Sequence, residues 1–525
     1  MKLHSRQKAF EPAIILARSG NFVGARDHML GVNNKFKDCF DFNFYLGSIY
    51  FYLEDWANAV NYLYLSTRYS EKSNSPYFML GRAHLNQEQF TEAVKWLSEA
   101  VRIDSSNPDA HNELGCALAG LKRYDDAISS FDSASALDYG FKDPRNNKGM
   151  ILCKLNRYSE AVEAFQTGVD IDPTFSVSHL NLALALQLSG NFTSAMNSIN
   201  QSIQLDPQNN FSKLNKSHLL LLLDRYDEAW PLYELRWSST KLNDLRDFKE
   251  PLWLGAESIE DKKIFIHAEQ GFGDVIQCAR FVPLLKSMNA TVTLEVQSEL
   301  HKLMSLIDGV EVITKNESHE GYDFHCPIMS LPYAFKTSLH NIPTHKYLTN
   351  FSVDKTSVFY KRTHQKNNHL NVGICWFGSD TLGDHYKRSI DLQIIKPLLE
   401  LPVNFHVIQK EIKADEKNIL EGLGVNCHDD IIHNFFDTAS LIDCMDLVIT
   451  VDTSVAHLSA TLNKNTWVLL PYVPDWRWGL DRKDCPWYPT ASLYRQTLPS
   501  SWLEPLNEII KDLTKLIRVR SALDV

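Results

Sequence analysis

Alanine recurs at positions 25, 59, 93, 127, 161, 195 and 229, every interval being 34 residues. Glycine recurs at 47, 81, 115 and 149, also 34 apart, each 12 residues ahead of one of those alanines. Four residues after each alanine stands a large apolar side chain: Met29, Leu63, Leu97, Phe131, Phe165, Ile199 and Tyr233. Pro173 and Pro207 follow Ala161 and Ala195 by 12 residues. A period of this length, with small and large residues at fixed offsets, is that of a repeated helix–turn–helix unit. The glycine lets the first helix come close to the second, and the alanine does the same from the other side. The large residue one turn later fills the space between them, and the proline ends the second helix because it cannot continue it. One such unit cannot bury its apolar face alone, so neighbouring units must stack.

This pattern resembles the tetratricopeptide repeat, with its Gly-x₂-Tyr, Ala-x₃-Phe and Pro positions, over residues 6–240 in about seven copies. The resemblance implies a superhelix that binds protein, and it makes the small residues packing residues. A second ladder, Asn147, Asn181 and Asn215, keeps the same spacing two positions ahead of the glycine or its equivalent. In the fold implied, that position faces the concave surface, where an amide can pair with an extended acceptor peptide of any sequence. Equally, Asn is common and solvated at this position, and both readings stand.

The period ends after Arg236, and 241–261 reads as a connecting segment. Beyond it, short β-rich runs alternate with amphipathic stretches, the pattern of parallel α/β units. Strands are expected at 263–267, 291–296, 310–314, 322–326, 372–376, 405–409, 447–451 and 466–470. Helices are expected at 275–287, 299–306, 392–401, 438–445, 455–462 and 502–517. The fold class is therefore α plus α/β: repeats, then one lobe over 262–352, a second over 370–500, and a closing helix over 501–520.

Charge and cysteine usage narrow the partners. The 53 basic and 64 acidic residues give a net charge of −11. Up to residue 240 there are 23 basic and 27 acidic residues, leaving 30 and 37, so neither half is basic and no nucleic-acid surface is expected. The nine cysteines lie far apart with no Cys-x-x-Cys, which reads as free thiols in a reducing compartment, with no zinc site. The first twenty residues hold only a brief apolar stretch, so no secretory signal is expected. Runs such as Leu219–Leu223 fall far short of the ~20 residues that cross a bilayer, so no membrane insertion is expected and the expected location is the cytoplasm.

In parallel α/β sheets, ligands sit beyond the carboxyl ends of the strands. Two strand-to-loop junctions stand out. Gly271-Phe-Gly273-Asp274 follows the first strand; its glycines permit close approach of a ligand, but capping of the next helix alone accounts for the aspartate. The second junction runs from a hydrophobic strand into Asp452-Thr453-Ser454 and on through His457. Amides at that helix start favour a diphosphate, and an ionised Asp452 can accept from sugar hydroxyls. An ordinary helix cap, with His457 as a packing residue, is the plain alternative.

Together the two junctions resemble the heptosyltransferases of glycosyltransferase family 9, which have the GT-B fold of two Rossmann-like lobes. The motifs concerned are Gly273-Asp274-Val275 with Pro283-Leu284-Leu285, and Val451-Asp452-Thr453-Ser454-Val455-Ala456-His457-Leu458-Ser459-Ala460. The resemblance implies a bacterial repeat protein with a C-terminal transferase of this kind. By it, Asp274 is the general base, and Gly271, Gly273, Lys387, Arg388, Asp452, Thr453, Ser454 and His457 serve the donor site. The sequence departs from the family at Ser454, where a glycine is usual, and at Trp476, Arg477, Trp478 and Arg482, which replace a shorter glycine-proline loop. That segment reads either as a donor or acceptor loop, since arginines among aromatics suit an anion, or as packed structure.

The expected activity is metal-independent, inverting transfer of a sugar from a nucleotide-sugar to a hydroxyl, with a protein Ser or Thr held by the repeats. In the α/β half no Asp-x-Asp constellation asks for a divalent ion, and no cofactor is expected. Two competing readings are a non-catalytic scaffold with a degenerate transferase half, and a transferase acting on a saccharide or lipid-linked glycan.

Overall fold

The computed structural model describes the chain except residues 1, 70–72, 240–245, 247, 270, 316, 318–319, 345, 349–350, 365–368, 379–387 and 524–525. It divides into two compact units, 1–205 and 206–525.

The first unit is helical. Its helices pair as the period requires, for example Phe40–Tyr52 with Trp56–Thr67, and Pro108–Gly120 with Tyr124–Leu137. The periodic alanines from Ala25 to Ala195 are fully buried. Each periodic glycine lies directly against the large residue of its partner helix. A Cβ on Gly115 would stand 2.5 Å from the Phe131 ring, and one on Gly47 would stand 2.9 Å from the Leu63 backbone nitrogen. The turn between paired helices is left-handed in each pair: Gly20, Glu54, Glu88, Lys122, Asn156 and Gly190 all have φ between 57° and 83°. These positions are again 34 apart, yet only two are glycine, so the period in backbone shape is hidden in residue type.

The second unit begins with helices Asn210–Leu222, Tyr226–Tyr233 and Arg236–Ser239, and then holds two parallel sheets. The first comprises β1 (Lys263–His267), β2 (Thr291–Val296), β3 (Glu311–Thr314) and β4 (Phe324–Pro327), in the order β3-β2-β1-β4. The second comprises β5 (Asn371–Cys375), β6 (Asn404–Val407), β7 (Leu447–Val451), β8 (Thr466–Leu470) and β9 (Ala491–Arg495), in the order β6-β5-β7-β8-β9. β5 and β7 are buried at every position, as expected of central parallel strands. Helix Leu503–Leu523 lays Leu506, Ile509 and Leu513 into the core of this sheet.

One expectation needs correction, and two elements are additions. The single helix expected over 275–287 is two, Phe272–Cys278 and Val282–Ser287, joined by a 3₁₀ turn at Ala279–Phe281. Pro283 supplies no N–H for the preceding turn, so the α-helical ladder cannot run through it. Strand β9 and helix Ala414–Gly422 are additions to the expected elements. Alternating Ser492 and Leu493 leave only a faint strand pattern at β9, and the helix buries only Leu420.

Candidate functional site

The chain reverses direction across each sheet beside its first strand: between β1 and β4 in one, between β5 and β7 in the other. These switch points are where a parallel sheet leaves a crevice at its carboxyl edge. The loop after β1 carries Glu269, Gly271, Gly273 and Asp274; the loop after β7 carries Asp452, Thr453 and Ser454. The two carboxyl edges meet. A Cβ on Gly273 would come within 2.7 Å of His457 Cδ2 and 3.6 Å of Ser454 Cα.

Asp274 sits at the third position of helix Phe272–Cys278, where Oδ2 accepts from the Gly271 N–H at 3.1 Å. Capping thus uses one oxygen only. The other, Oδ1, accepts from Arg477 Nη2 at 2.5 Å. Burial pushes the Asp274 carboxyl above the ordinary range, and Arg477 opposes it. Arg477 also donates through Nη1 to Asp475 Oδ1 at 2.8 Å and through Nε to Gln277 Oε1.

Asp452, 4 % exposed at the end of β7, is raised to about 6, first by burial and then by Asp475, while Arg388 draws it down. Arg388 Nη1 reaches the Asp452 carbonyl at 3.5 Å. Thr453 caps helix Ser454–Thr461, its hydroxyl accepting from Val455 N at 3.3 Å. His457 is buried, its Nδ1 2.8 Å from the Tyr488 hydroxyl and its ring stacked on Trp478 at 5.4 Å. Burial holds His457 neutral, down at about 3. Lys387 lies outside the described residues.

The structure therefore brings Gly271, Gly273, Asp274, Arg388, Asp452, Thr453, Ser454, His457 and Arg477 to one place. It does not bring Arg482 there: that side chain forks onto Asp484 at 2.8 and 2.9 Å. Trp476 is enclosed by Trp230 and Trp487, each with ring centroids at 5.6 Å, so its faces are taken up by packing. Trp478 is fully buried beside His457. Of the asparagine ladder, Asn147 donates to Asn112 Oδ1 at 3.0 Å and Asn215 to the Phe211 carbonyl at 2.8 Å. Asn181 is half-buried, and Asn215 belongs to the second unit.

Sequence reasoning passes over the residues that stiffen this site. Arg236, 2 % exposed, donates to Glu269 at 2.8 and 2.9 Å, to Glu234 at 2.9 Å and to Ser330 at 2.7 Å. Glu269 also accepts the Met329 N–H at 3.0 Å, which ties the loop after β1 to the turn after β4. Arg280 donates to the Trp487 carbonyl at 2.6 Å and lies over the Tyr488 ring. The signal available in sequence is a charged residue embedded among aromatics, Arg236 beside Tyr233 and Trp237, which buried cation–π pairs favour. Among the described residues, no group of three or more His, Cys, Asp or Glu is placed to hold a metal ion.

Family models described as TPR repeat match residues 81–122, and models described as tetratricopeptide repeat match 112–174 and 177–209. The first unit carries tetratricopeptide repeats. Solved structures similar to part of the chain include MamA from Desulfovibrio magneticus, 21% identical over 32% of this chain and 94% of that one, TM-score 0.28. YrrB, titled a TPR protein with an unusual peptide-binding site, is 18% identical over 34% and 93%, TM-score 0.31. The C-terminal part of a TPR repeat-containing protein from Cytophaga hutchinsonii is 13% identical over 44% and 94%, TM-score 0.38. Comparison with curated proteins returns no match. Among the described residues, no helix is long and apolar enough to cross a membrane.

The contact at Gly273 makes a local prediction. The His457 ring is held by Tyr488 and Trp478 and cannot yield to a new methyl group. Gly273→Ala is expected to lower unfolding free energy by about 1–3 kcal/mol, measured by urea titration. An unchanged midpoint would show that the two carboxyl edges are not in contact there.

Proposed function

We propose that this chain is a glycosyltransferase that moves a sugar from a nucleotide-sugar to a hydroxyl acceptor, a Ser or Thr of a protein held by the repeats. The observation that supports the reading is the meeting of the two sheet edges. It sets a carboxylate at one switch point, Asp274, near a helix start with a cation, Ser454 and Arg388, at the other. The N-terminal amides of helix Ser454–Thr461 and Arg388 would take the donor diphosphate. Asp452, titrating at about 6, is ionised at neutral pH and would accept from sugar hydroxyls. Asp274 would take the acceptor proton while the anomeric carbon is attacked from the face opposite the nucleotide, inverting it. In this reading the module is a GT-B fold akin to the heptosyltransferases, and the repeats present the acceptor.

Calorimetry of the full chain with nucleoside diphosphates checks the donor half of the reading. Binding is expected, with Arg388→Gln and Thr453→Ala each weakening it by about tenfold, the size of one lost hydrogen bond to a charged group. No heat with any nucleoside diphosphate would sink it. That outcome would favour a second reading, a protein-binding scaffold, which draws on the family matches lying wholly within 81–209.

A further inference from the structure

Arg477 stands in an aromatic loop whose sequence suggests ligand binding, but its partners point elsewhere. Every edge of the guanidinium that the structure resolves meets protein: Nε meets Gln277 Oε1, Nη1 meets Asp475 Oδ1 at 2.8 Å, and Nη2 meets Asp274 Oδ1 at 2.5 Å. One face lies over the Trp476 ring, 4.5 Å from its centroid. Because an arginine only donates, Gln277 must turn its oxygen to it, and the Gln277 Nε2 is left buried with no hydrogen-bond partner. A buried amide kept in that costly orientation indicates how firmly the guanidinium is fixed.

We propose that Arg477 is the positioning residue of the site: anchored by Asp475 and Gln277, it grips one oxygen of Asp274 and so fixes the charge and direction of that carboxylate. The proposal rests on the reading of Asp274 as the base. In the transfer step, the acceptor O–H proton passes to a free lone pair of Asp274. The acceptor oxygen bonds to the anomeric carbon, and the carbon–oxygen bond to the diphosphate breaks with its electron pair on the leaving oxygen.

One guanidinium here serves two carboxylates, and it does not serve them equally. Asp475 receives both the Arg477 backbone N–H, at 3.1 Å, and Nη1. Burial alone would raise Asp475, but Arg477 outweighs it and holds the group below its ordinary range. Asp274 receives one of the guanidinium N–H groups, and burial keeps it above its ordinary range. Two acids pushed apart in this way take separate roles, one permanently ionised and one able to exchange a proton. Four further ionisable neighbours are uncharged near neutral pH, while the charges of Arg280 and Glu269 bear on Cys278. Burial lowers His218 and His457, raises Tyr233, and pushes the Cys278 thiol up to about 12. Among the described residues, Arg477, Asp475 and the more distant Arg388 act on the charge of Asp274, with Asp452 facing Asp475 from the end of β7.

The test is water-soluble carbodiimide labelling of the full chain across pH, with the Asp274 peptide quantified by mass spectrometry; the reagent attacks protonated carboxyl groups. Arg477→Gln is expected to move the Asp274 labelling midpoint up by about one to three pH units, the effect of removing an adjacent opposite charge. Arg477→Lys should move it up by less, since a point charge keeps part of the pair. Asp475→Asn should move it down, because a like charge is removed and the guanidinium is freed for Asp274. A merely structural role would loosen the loop and shift all three variants the same way, towards an exposed carboxylate. That result, or an unmoved midpoint, would overturn the proposal. If Arg477→Gln does not fold, the opposite shifts of Arg477→Lys and Asp475→Asn decide the matter. Labelling needs no sugar donor, so opposite shifts without any transfer would refute the transferase reading and leave the control of Asp274 by Arg477 standing.

Discussion

A chain cut to begin at Asp206 is expected to fold, and a chain cut to begin at residue 241 is not. The difference is the helices between them. Trp230, 1 % exposed, donates through Nε1 to the Thr337 carbonyl at 2.7 Å and packs edge-on against Trp476. Tyr226 receives the Trp487 Nε1–H at 3.2 Å. Arg236 supplies the counter-charge of Glu269, a side chain only 1 % exposed. Burial works against both charges and raises the Glu269 carboxyl, while each charge favours the ionised form of the other. Removing one member of a buried ion pair costs about 3–5 kcal/mol, and losing a buried tryptophan costs about as much again. The two losses together equal most of the ~5–15 kcal/mol that holds a domain folded. Soluble yield and the cooperativity of the thermal transition, followed by circular dichroism, distinguish the two cuts. A sharp transition in the 241–525 fragment would contradict the account.

The second large effect is a loss of stability on mild acidification, centred in the second unit. His406 and His428 are buried in contact, with His406 Nδ1 3.0 Å from His428 Nε2, and burial lowers them to about 3 and about 4. His457 is likewise down at about 3. Unfolded histidine titrates near 6.5, so the sign is fixed. Above about pH 6.5 both states are neutral and nothing is lost. As pH falls from there towards 3, the unfolded state takes up protons that the folded state refuses, and stability declines. Asp452 acts oppositely: raised to about 6, it holds a proton between pH 4 and 6 that the unfolded state releases, so it offsets part of the loss. A tenfold difference in proton affinity between the folded and unfolded states is worth about 1.4 kcal/mol, so the three histidines together cost several kcal/mol by about pH 4. Urea unfolding of the 206–525 fragment across pH 4–7.5 should therefore show free energy rising with pH. His406→Asn should flatten the slope. A flat profile in the unsubstituted fragment would count against neutral buried histidines.

Much of the fold is readable in the residues, and what is not has physical causes. The pairing of Gly47 with Leu63, Gly81 with Leu97, Gly115 with Phe131 and Gly149 with Phe165 follows from the period, because only a missing Cβ lets those side chains lie where they do. The central strands β5 and β7 are legible because burial on both faces demands unbroken apolar runs. The period cannot tell on which unit a helix pair packs. Ala229 and Tyr233 keep the repeat spacing since they serve contacts within their own pair, while Trp230 and Arg236, outside the pattern, carry that pair onto the second unit. In the site, glycines and carboxylates at strand ends announce themselves. The grip of Arg477 on Asp274 spans 203 residues of chain, and nothing local encodes it.

The claim on which the rest depends is that Asp274 and Asp452 serve sugar transfer at the meeting of the two sheets. The most direct measurement incubates the full chain with a panel of nucleotide-sugars and candidate acceptor proteins, scoring acceptor mass and released nucleoside diphosphate together. The account predicts a mass gain of one sugar per diphosphate released with at least one donor. Asp274→Asn should cut the rate by about 10²–10⁴-fold, the usual contribution of a general base, and Asp452→Ala should abolish donor use. Transfer that survives both substitutions unchanged would contradict it.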